Sequence, residues 1–358
     1  MTEKTRTLLV AGRCDSYQVA AIRQFVEQAL AGLGFVPARG RVLLKPNLLT
    51  GKSSKKAVNT HPTFVAAVAE VFLDAGCDVS VGDSPGYEST EKALAGSGIM
   101  PVVRRLGLRV APFAGRIAVQ NGGISPYREL TFGEDPGAYD LIINLPKLKT
   151  HTMMGLTAGV KNTFGFVPSF DKARWHLRCG TDRALFAALL LDIHRLVNPG
   201  LTILDGITAM EGDGPSSGHP RHAGIVAASG DAIALDWFIE QRIGVTKPLP
   251  VTAVALEKGL LSEPEVIDLG MPAVEPFVLP RTMDVGFGMP ALIRETARRV
   301  FLRKPRCVDS RCKLCETCIE VCPAKAISIE HDLLKFDYKK CIRCYCCQEL
   351  CPHSAITV

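Results

Sequence analysis

The 358-residue chain is long enough for two domains and a full hydrophobic core, and its 47% hydrophobic and 22% charged residues are those of a globular protein. The longest apolar run, near Ala184–Leu191, stops at Asp192, far short of the roughly 18 residues that span a bilayer. Residues 1–7 run straight into Leu8-Leu9-Val10 with no signal-peptide pattern, so the expected compartment is cytoplasmic with no membrane span. The formal charge of +6 is not gathered into a basic stripe with aromatic stacking residues, which argues against a nucleic-acid partner.

From Leu8 to about Gly244, short β-rich apolar runs alternate with helical patterns. The expected strands are Thr7–Val10, Val42–Leu44, Val79–Val81, Leu141–Asn144, Leu201–Leu204 and Ala223–Ala227. Between them, Ser16–Leu33, His61–Ala75 and Thr181–Leu196 read as helices. Continuous apolar strands alternating with helices predict an α/β fold, with a mainly parallel sheet flanked by helices over residues 1–245. The second of those helices should take Thr60 as its N-cap, with Pro62 in its first turn and Gly76 ending it. The segment Asp171–Arg178, which carries Trp175 and His176, is expected to be a charged loop ahead of the next helix.

Residues 246–304 read as an exit segment. Seven prolines fall between Thr246 and Pro290, which leaves room for one helix, Val251–Leu261, and otherwise extended chain. A basic amphipathic linker helix over Ala291–Lys304 should follow, with Arg294, Arg298, Arg299 and Arg303 on its polar side.

Ten of the thirteen cysteines lie beyond residue 306. They form one repeat with a 29-residue offset: Cys312, Cys315, Cys318, Cys322-Pro323, then Cys341, Cys344, Cys347, Cys351-Pro352. Each copy is C-x2-C-x2-C-x3-C-P. Three cysteines two residues apart sit on one tight loop and can grip three corners of a cube, while the fourth, directed by its proline, reaches the other cube. The expected sites are therefore two [4Fe–4S] clusters, one on Cys312, Cys315, Cys318 and Cys351, the other on Cys322, Cys341, Cys344 and Cys347. Zinc wants paired C-x2-C motifs without a third cysteine in step. With each cluster at about −2, the loaded protein would carry only about +2.

Cys307 and Cys346 stand outside the pattern; both read as ordinary buried thiols, with substitution of Cys346 for a neighbouring ligand as the alternative. Cys14, Cys77 and Cys179 are scattered and read as structural. The segment 305–358 resembles the bacterial two-cluster ferredoxins over its whole length. That resemblance implies a small α+β unit of two pseudo-symmetric halves, with clusters close enough for electron transfer.

The distinctive polar residues of the first domain follow its predicted strands: Lys45-Pro46-Asn47, Gly82-Asp83-Ser84-Pro85-Gly86, Lys147-Leu148-Lys149-Thr150-His151 and Lys161-Asn162. In open α/β sheets ligands sit at the carboxyl ends of strands, and lysines and asparagines gathered there suit a carboxylate or phosphate. Lys45, Asn47, Asp83, Lys147, Lys149, Lys161 and Asn162 are the candidate binding residues for a small anionic ligand. His151 and His176 are candidate proton donors. No Walker loop, strand-following GxGxxG or G-x-S-x-G elbow is present, so no organic cofactor is identified.

These stretches resemble the family of the domain of unknown function 362, often joined to a ferredoxin domain. The residues that carry the resemblance are Leu44-Lys-Pro-Asn47, His61-Pro62, Val81-Gly-Asp-Ser-Pro-Gly86, Asn144-Leu-Pro-Lys-Leu-Lys-Thr-His151, Val160-Lys-Asn162, Met210-Glu-Gly-Asp-Gly-Pro215 and Ala234-Leu-Asp236. Two functions follow as expectations. One is an oxidoreductase passing single electrons through the clusters to an anionic substrate or cofactor in the α/β domain. The other is an electron carrier or redox-sensing module whose large domain only docks a redox partner protein.

Overall fold

The computed structural model describes residues 7–284 and 302–358. Its large sheet and the hairpin beside it use strands β1 (Leu8–Arg13), β2 (Arg41–Pro46), β3 (Asp78–Val81), β4 (Arg109–Val110), β5 (Ile117–Gln120), β6 (Glu129–Phe132), β7 (Leu141–Leu145), β8 (Lys147–His151), β9 (Gly155–Thr157), β10 (Leu201–Glu211), β11 (His219–Ser229) and β12 (Glu265–Leu269). The order across the sheet is β12-β1-β11-β10-β7-β2-β3-β4, with β8 continuing beyond Pro146 along β10, β9 paired to β8, and β5 and β6 forming the separate hairpin. All neighbours on the main path are parallel except β11, which runs antiparallel to both β1 and β10. The architecture is α/β, a mainly parallel mixed sheet flanked by helices.

Alternation along the strands explains why they read as unbroken apolar runs. Val42 and Leu44 of β2 and Ile143 and Leu145 of β7 face one core, together with helices Val19–Gly32 and Pro62–Asp74. Leu43 and Ile142 point the other way, into a second core built on helix Arg183–Val197. Phe64, Phe72 and Phe186 are fully buried in these layers, each contributing about 1.5–3 kcal/mol.

Three expectations are corrected. The Pro62–Asp74 helix is capped by His61, whose Nδ1 accepts from Thr63 N at 3.2 Å, because the Thr60 hydroxyl instead donates to Leu145 O at 2.6 Å and accepts from Asn47 N at 2.9 Å. Thr60 thus ties the end of β2 to the end of β7. Residues 169–179, expected as a charged loop, form a helix that buries Trp175, His176 and Cys179. Arg174 and Arg178 are exposed, the buried Asp171 pairs with Arg116 at 2.7 Å and Arg174 at 3.1 Å, and Lys172 turns inward. After Gly244 the expected helix is present at Pro250–Glu257 and packs into the second core, but the chain beyond it is more than an exit, because β12 adds an edge strand parallel to β1. The linker helix expected at Ala291–Lys304 falls, apart from its last three residues, outside the described residues.

The C-terminal unit has two short antiparallel pairings, Arg306–Cys307 with Ile356–Thr357, which joins its two ends, and the hairpin Ile327–Glu330 with Leu333–Phe336. A one-turn helix follows each cysteine loop, at Thr317–Glu320 and Cys346–Glu349. Among the described residues no helix is long and apolar enough to cross a membrane.

Candidate functional site

The carboxyl ends of β2, β3 and β7 lie side by side, with Leu44 opposite both Val81 and Ile143. The loops leaving them, together with β8 and the turn of helix at Gly159–Asn162, form one wall of a cavity of about 120 Å³. Asn47, Asp83, Lys149, Lys161 and Asn162 line that wall, joined by Phe164, Ser169, Lys172 and His176. The opposite wall belongs to the C-terminal unit: Val321, Cys346, Glu349 and Leu350, with the exposed Glu320 beside them.

Buried amides hold the first wall. Asn162 Nδ2 donates to Asn144 Oδ1 at 2.8 Å, Asn47 Nδ2 donates to Asn162 Oδ1 at 2.9 Å, and Lys149 Nζ donates to Asn47 Oδ1 at 2.8 Å. Asp236 accepts the backbone N–H groups of Gly159 and Val160 at 2.6 and 2.9 Å, fixing the turn that carries Lys161. Such a network rigidifies a site only when its members are satisfied, and these amides are.

The expected lysines divide by partner. Lys45 is fully buried and pairs with Asp83 at 2.8 Å, so it stands behind the wall. Gly165 passes so close to this pair that a side chain there would collide with Asp83 Oδ1 and Lys45 Nζ. Lys147 also lies outside the cavity, paired with Asp205 at 2.9 Å and accepted by Tyr17 Oη at 2.7 Å. Lys149 and Lys161 remain in the cavity with no carboxylate in ion-pair range among the described residues. Lys172 joins them, donating to the carbonyls of Ser84 and Pro85. Burial pushes the Lys149 and Lys172 ammonium groups down to about 7 and lowers Lys161 as well. The carboxylate whose charge reaches all three is Glu349, contributed by the C-terminal unit. Burial acts to raise its carboxyl, but the approach of His151 and the charge of Lys161 more than offset this and hold it below the usual carboxylate range.

His151 itself does not line the cavity. Its Nδ1 accepts from the backbone of Met153 and Met154, and its Nε2 lies 3.7 Å from Glu349 Oε2, too far for a hydrogen bond; we read that contact as electrostatic. His176 does face the cavity and carries a buried Nδ1 without a hydrogen-bond partner.

Burial holds His176 down to about 3 and His194, in the neighbouring helix, down to about 4. Both stay neutral in the folded protein while the unfolded chain protonates them near 6.5. Their contribution is therefore complete above pH 6.5 and is lost as the pH falls toward the folded values, on the order of 2 kcal/mol per histidine at pH 5. Thermal unfolding at pH 7 and pH 5 should show this loss. His194→Gln should reduce the pH dependence, and an unchanged slope would refute the assignment.

The cysteines surround two recesses. One is lined by Cys312, Cys315, Cys318 and Cys351. The other is lined by Cys322, Cys341, Cys344 and Cys347, with Cys346 also on its wall. The four repeat cysteines around each recess are the donor set that a [4Fe–4S] cluster takes. Cys307 lines neither recess and packs beside Cys312. Cys14, Cys77 and Cys179 are buried thiols contacting Ala21 O, Ala38 O and Tyr127 Oη.

The C-terminal unit is docked by direct bonds. Gln348 Nε2 donates to Asp213 O at 2.7 Å, Ser216 Oγ to Glu349 O at 2.6 Å and Lys52 Nζ to Cys351 O at 3.2 Å. Leu350 rests on Gly86, where a Cβ would collide with it. Sequence reasoning did not single out Lys172, Glu349 or the cavity-facing position of Cys346. No motif marks them, because each becomes part of the site only through this docking or through the unexpected helix at residues 169–179.

Comparison with known proteins identifies two family regions in the chain. Residues 42–239 match the family described as Domain of unknown function (DUF362), and residues 334–357 match the 4Fe-4S binding domain. A "Thylakoid-associated protein sll1697" from Synechocystis sp. (strain ATCC 27184 / PCC 6803 / Kazusa) is 36% identical over 305 residues, covering 81% of this chain and 94% of that protein. The lactate racemase apoprotein of Thermoanaerobacterium thermosaccharolyticum superposes with a TM-score of 0.42 at 12% identity, covering 67% of this chain and 58% of its own. The 4Fe-4S binding domain gives the C-terminal region an iron–sulfur electron-transfer role.

Proposed function

The chain belongs to the DUF362 family, and from that footing we propose that it is an iron–sulfur oxidoreductase acting on an anionic substrate held between its two units. Two [4Fe–4S] clusters would be held by Cys312, Cys315, Cys318 and Cys351, and by Cys322, Cys341, Cys344 and Cys347. When bound, they supply single electrons. The observation that carries the reading is the position of Cys346, which lines both the cavity and the recess of Cys322, Cys341, Cys344 and Cys347. The substrate cavity and the second cluster site thus share a wall.

The protein's own groups divide the remaining work. Lys149, Lys161 and Lys172 attract and hold the anion, and Asn47 and Asn162 fix the wall from which two of them project. Leu350 and Val321 add apolar surface to the cavity wall. His176, neutral and unpartnered at Nδ1, is placed to exchange a proton with a bound molecule. The first cysteine ring opens to solvent through Cys315, the side from which a redox partner protein would approach. A cytoplasmic setting, which keeps thiols reduced, suits thirteen unpaired cysteines.

The test is reoxidation of the anaerobically reduced protein by a panel of small anions, followed by absorbance. At least one anion should accelerate reoxidation, and Lys161→Met should reduce that acceleration by about tenfold, the equivalent of 1.4 kcal/mol of lost binding. If no anion does so, the chain is an electron carrier whose large domain only docks a partner.

A further inference from the structure

The cavity has a chemistry of its own beyond net charge. Its volume of about 120 Å³ is close to that of an apolar cavity known to accept benzene, roughly 150 Å³. Three lysines reach it, while Phe164, Leu48, Val321 and Leu350 supply apolar surface. Among the described residues no arginine lines it, although arginine's planar fork is the usual device for chelating a phosphate. A bare inorganic anion would leave the apolar wall uncovered, and a neutral hydrocarbon would leave buried ammonium groups without a counter-charge.

We infer that the cavity takes a small organic acid with a compact apolar body, its carboxylate held by Lys149, Lys161 and Lys172 and its body against Phe164, Val321 and Leu350. This rests on the cavity being the substrate site and names the class of molecule it takes. Glu349 acts on the three lysines only through its longer-range charge, so the arriving carboxylate supplies the close counter-charge they lack.

The experiment is isothermal titration of the oxidised, cluster-loaded protein with benzoate, benzamide and inorganic phosphate. Benzamide matches benzoate in shape without the charge; phosphate has the charge without the apolar body. Benzoate should bind at least tenfold more tightly than either. Lys161→Met should lower benzoate affinity about tenfold with an unchanged cluster absorbance spectrum, and Lys161→Arg should retain part of it. Benzamide binding as well as benzoate, or benzoate binding indifferent to both substitutions, overturns the inference. Tighter binding of phosphate overturns the organic-acid class while leaving an anion site in place. Binding of none of the three removes both the class and the anion-site reading.

Discussion

Replacing Cys322 by serine should lower the iron content of the purified protein from about eight atoms per chain to about four, and the cluster lost should be the one held by the second loop. Cys322 belongs in sequence to the first repeat, yet it lies in the recess of Cys341, Cys344 and Cys347, while Cys351 lies with Cys312, Cys315 and Cys318. The two chain halves exchange their fourth cysteine. Electron paramagnetic resonance of the reduced protein should therefore show the same missing signal for Cys322→Ser and Cys341→Ser, and the other for Cys351→Ser and Cys312→Ser. The opposite grouping would disprove the exchange. A full complement of iron in Cys322→Ser would mean that Cys346, on the same recess wall, is the ligand instead.

The second large effect separates two lysines that look alike in the sequence. Lys147→Met should destabilise the protein by about 3–5 kcal/mol, because it strands the fully buried Asp205 carboxylate with, among the described residues, the Tyr17 hydroxyl and the His61 N–H as its side-chain oxygens' partners. For a domain of this size the melting temperature should fall on the order of 10 °C. Lys161→Met removes a buried ammonium with no carboxylate in ion-pair range among the described residues, so it should leave stability unchanged or raise it while weakening anion binding. Thermal unfolding of the two variants side by side decides the matter. Equal destabilisation would make Lys161 a structural residue and remove it from the proposed site.

The structure brings some of the sequence-picked residues to one cavity and sends others elsewhere. Lys149, Lys161, Asn47 and Asn162 follow strands whose parallel arrangement was legible, and the cavity gathers all four. Lys45 and Lys147 carry the same pattern but meet Asp83 and Asp205, partners 38 and 58 residues away. Nothing local distinguishes a strand-end lysine that will find a buried carboxylate from one that will not. The helix at residues 169–179 escaped because four of its eleven residues are charged, so the segment as a whole reads as solvated; its buried Trp175 and Cys179 find their contacts in the core around helix Arg183–Val197. Likewise β12, preceded by a proline-rich stretch, is a strand because β1 offers it a free edge.

The sequence by itself determined that the sheet is mainly parallel and buried on both faces, because apolar runs without alternation are stable only between two layers of helices. It also determined that eight cysteines come in two interlocked sets, because C-x2-C-x2-C-x3-C-P is a local spacing with a local geometric meaning. The tertiary structure alone decided that the C-terminal unit caps the carboxyl ends of the large sheet and delivers Glu349 and Cys346 into a pocket of lysines. That arrangement depends on contacts such as Leu350 on Gly86 and Gln348 on Asp213, between residues more than a hundred positions apart, where packing and charge compensation rather than local pattern set the outcome.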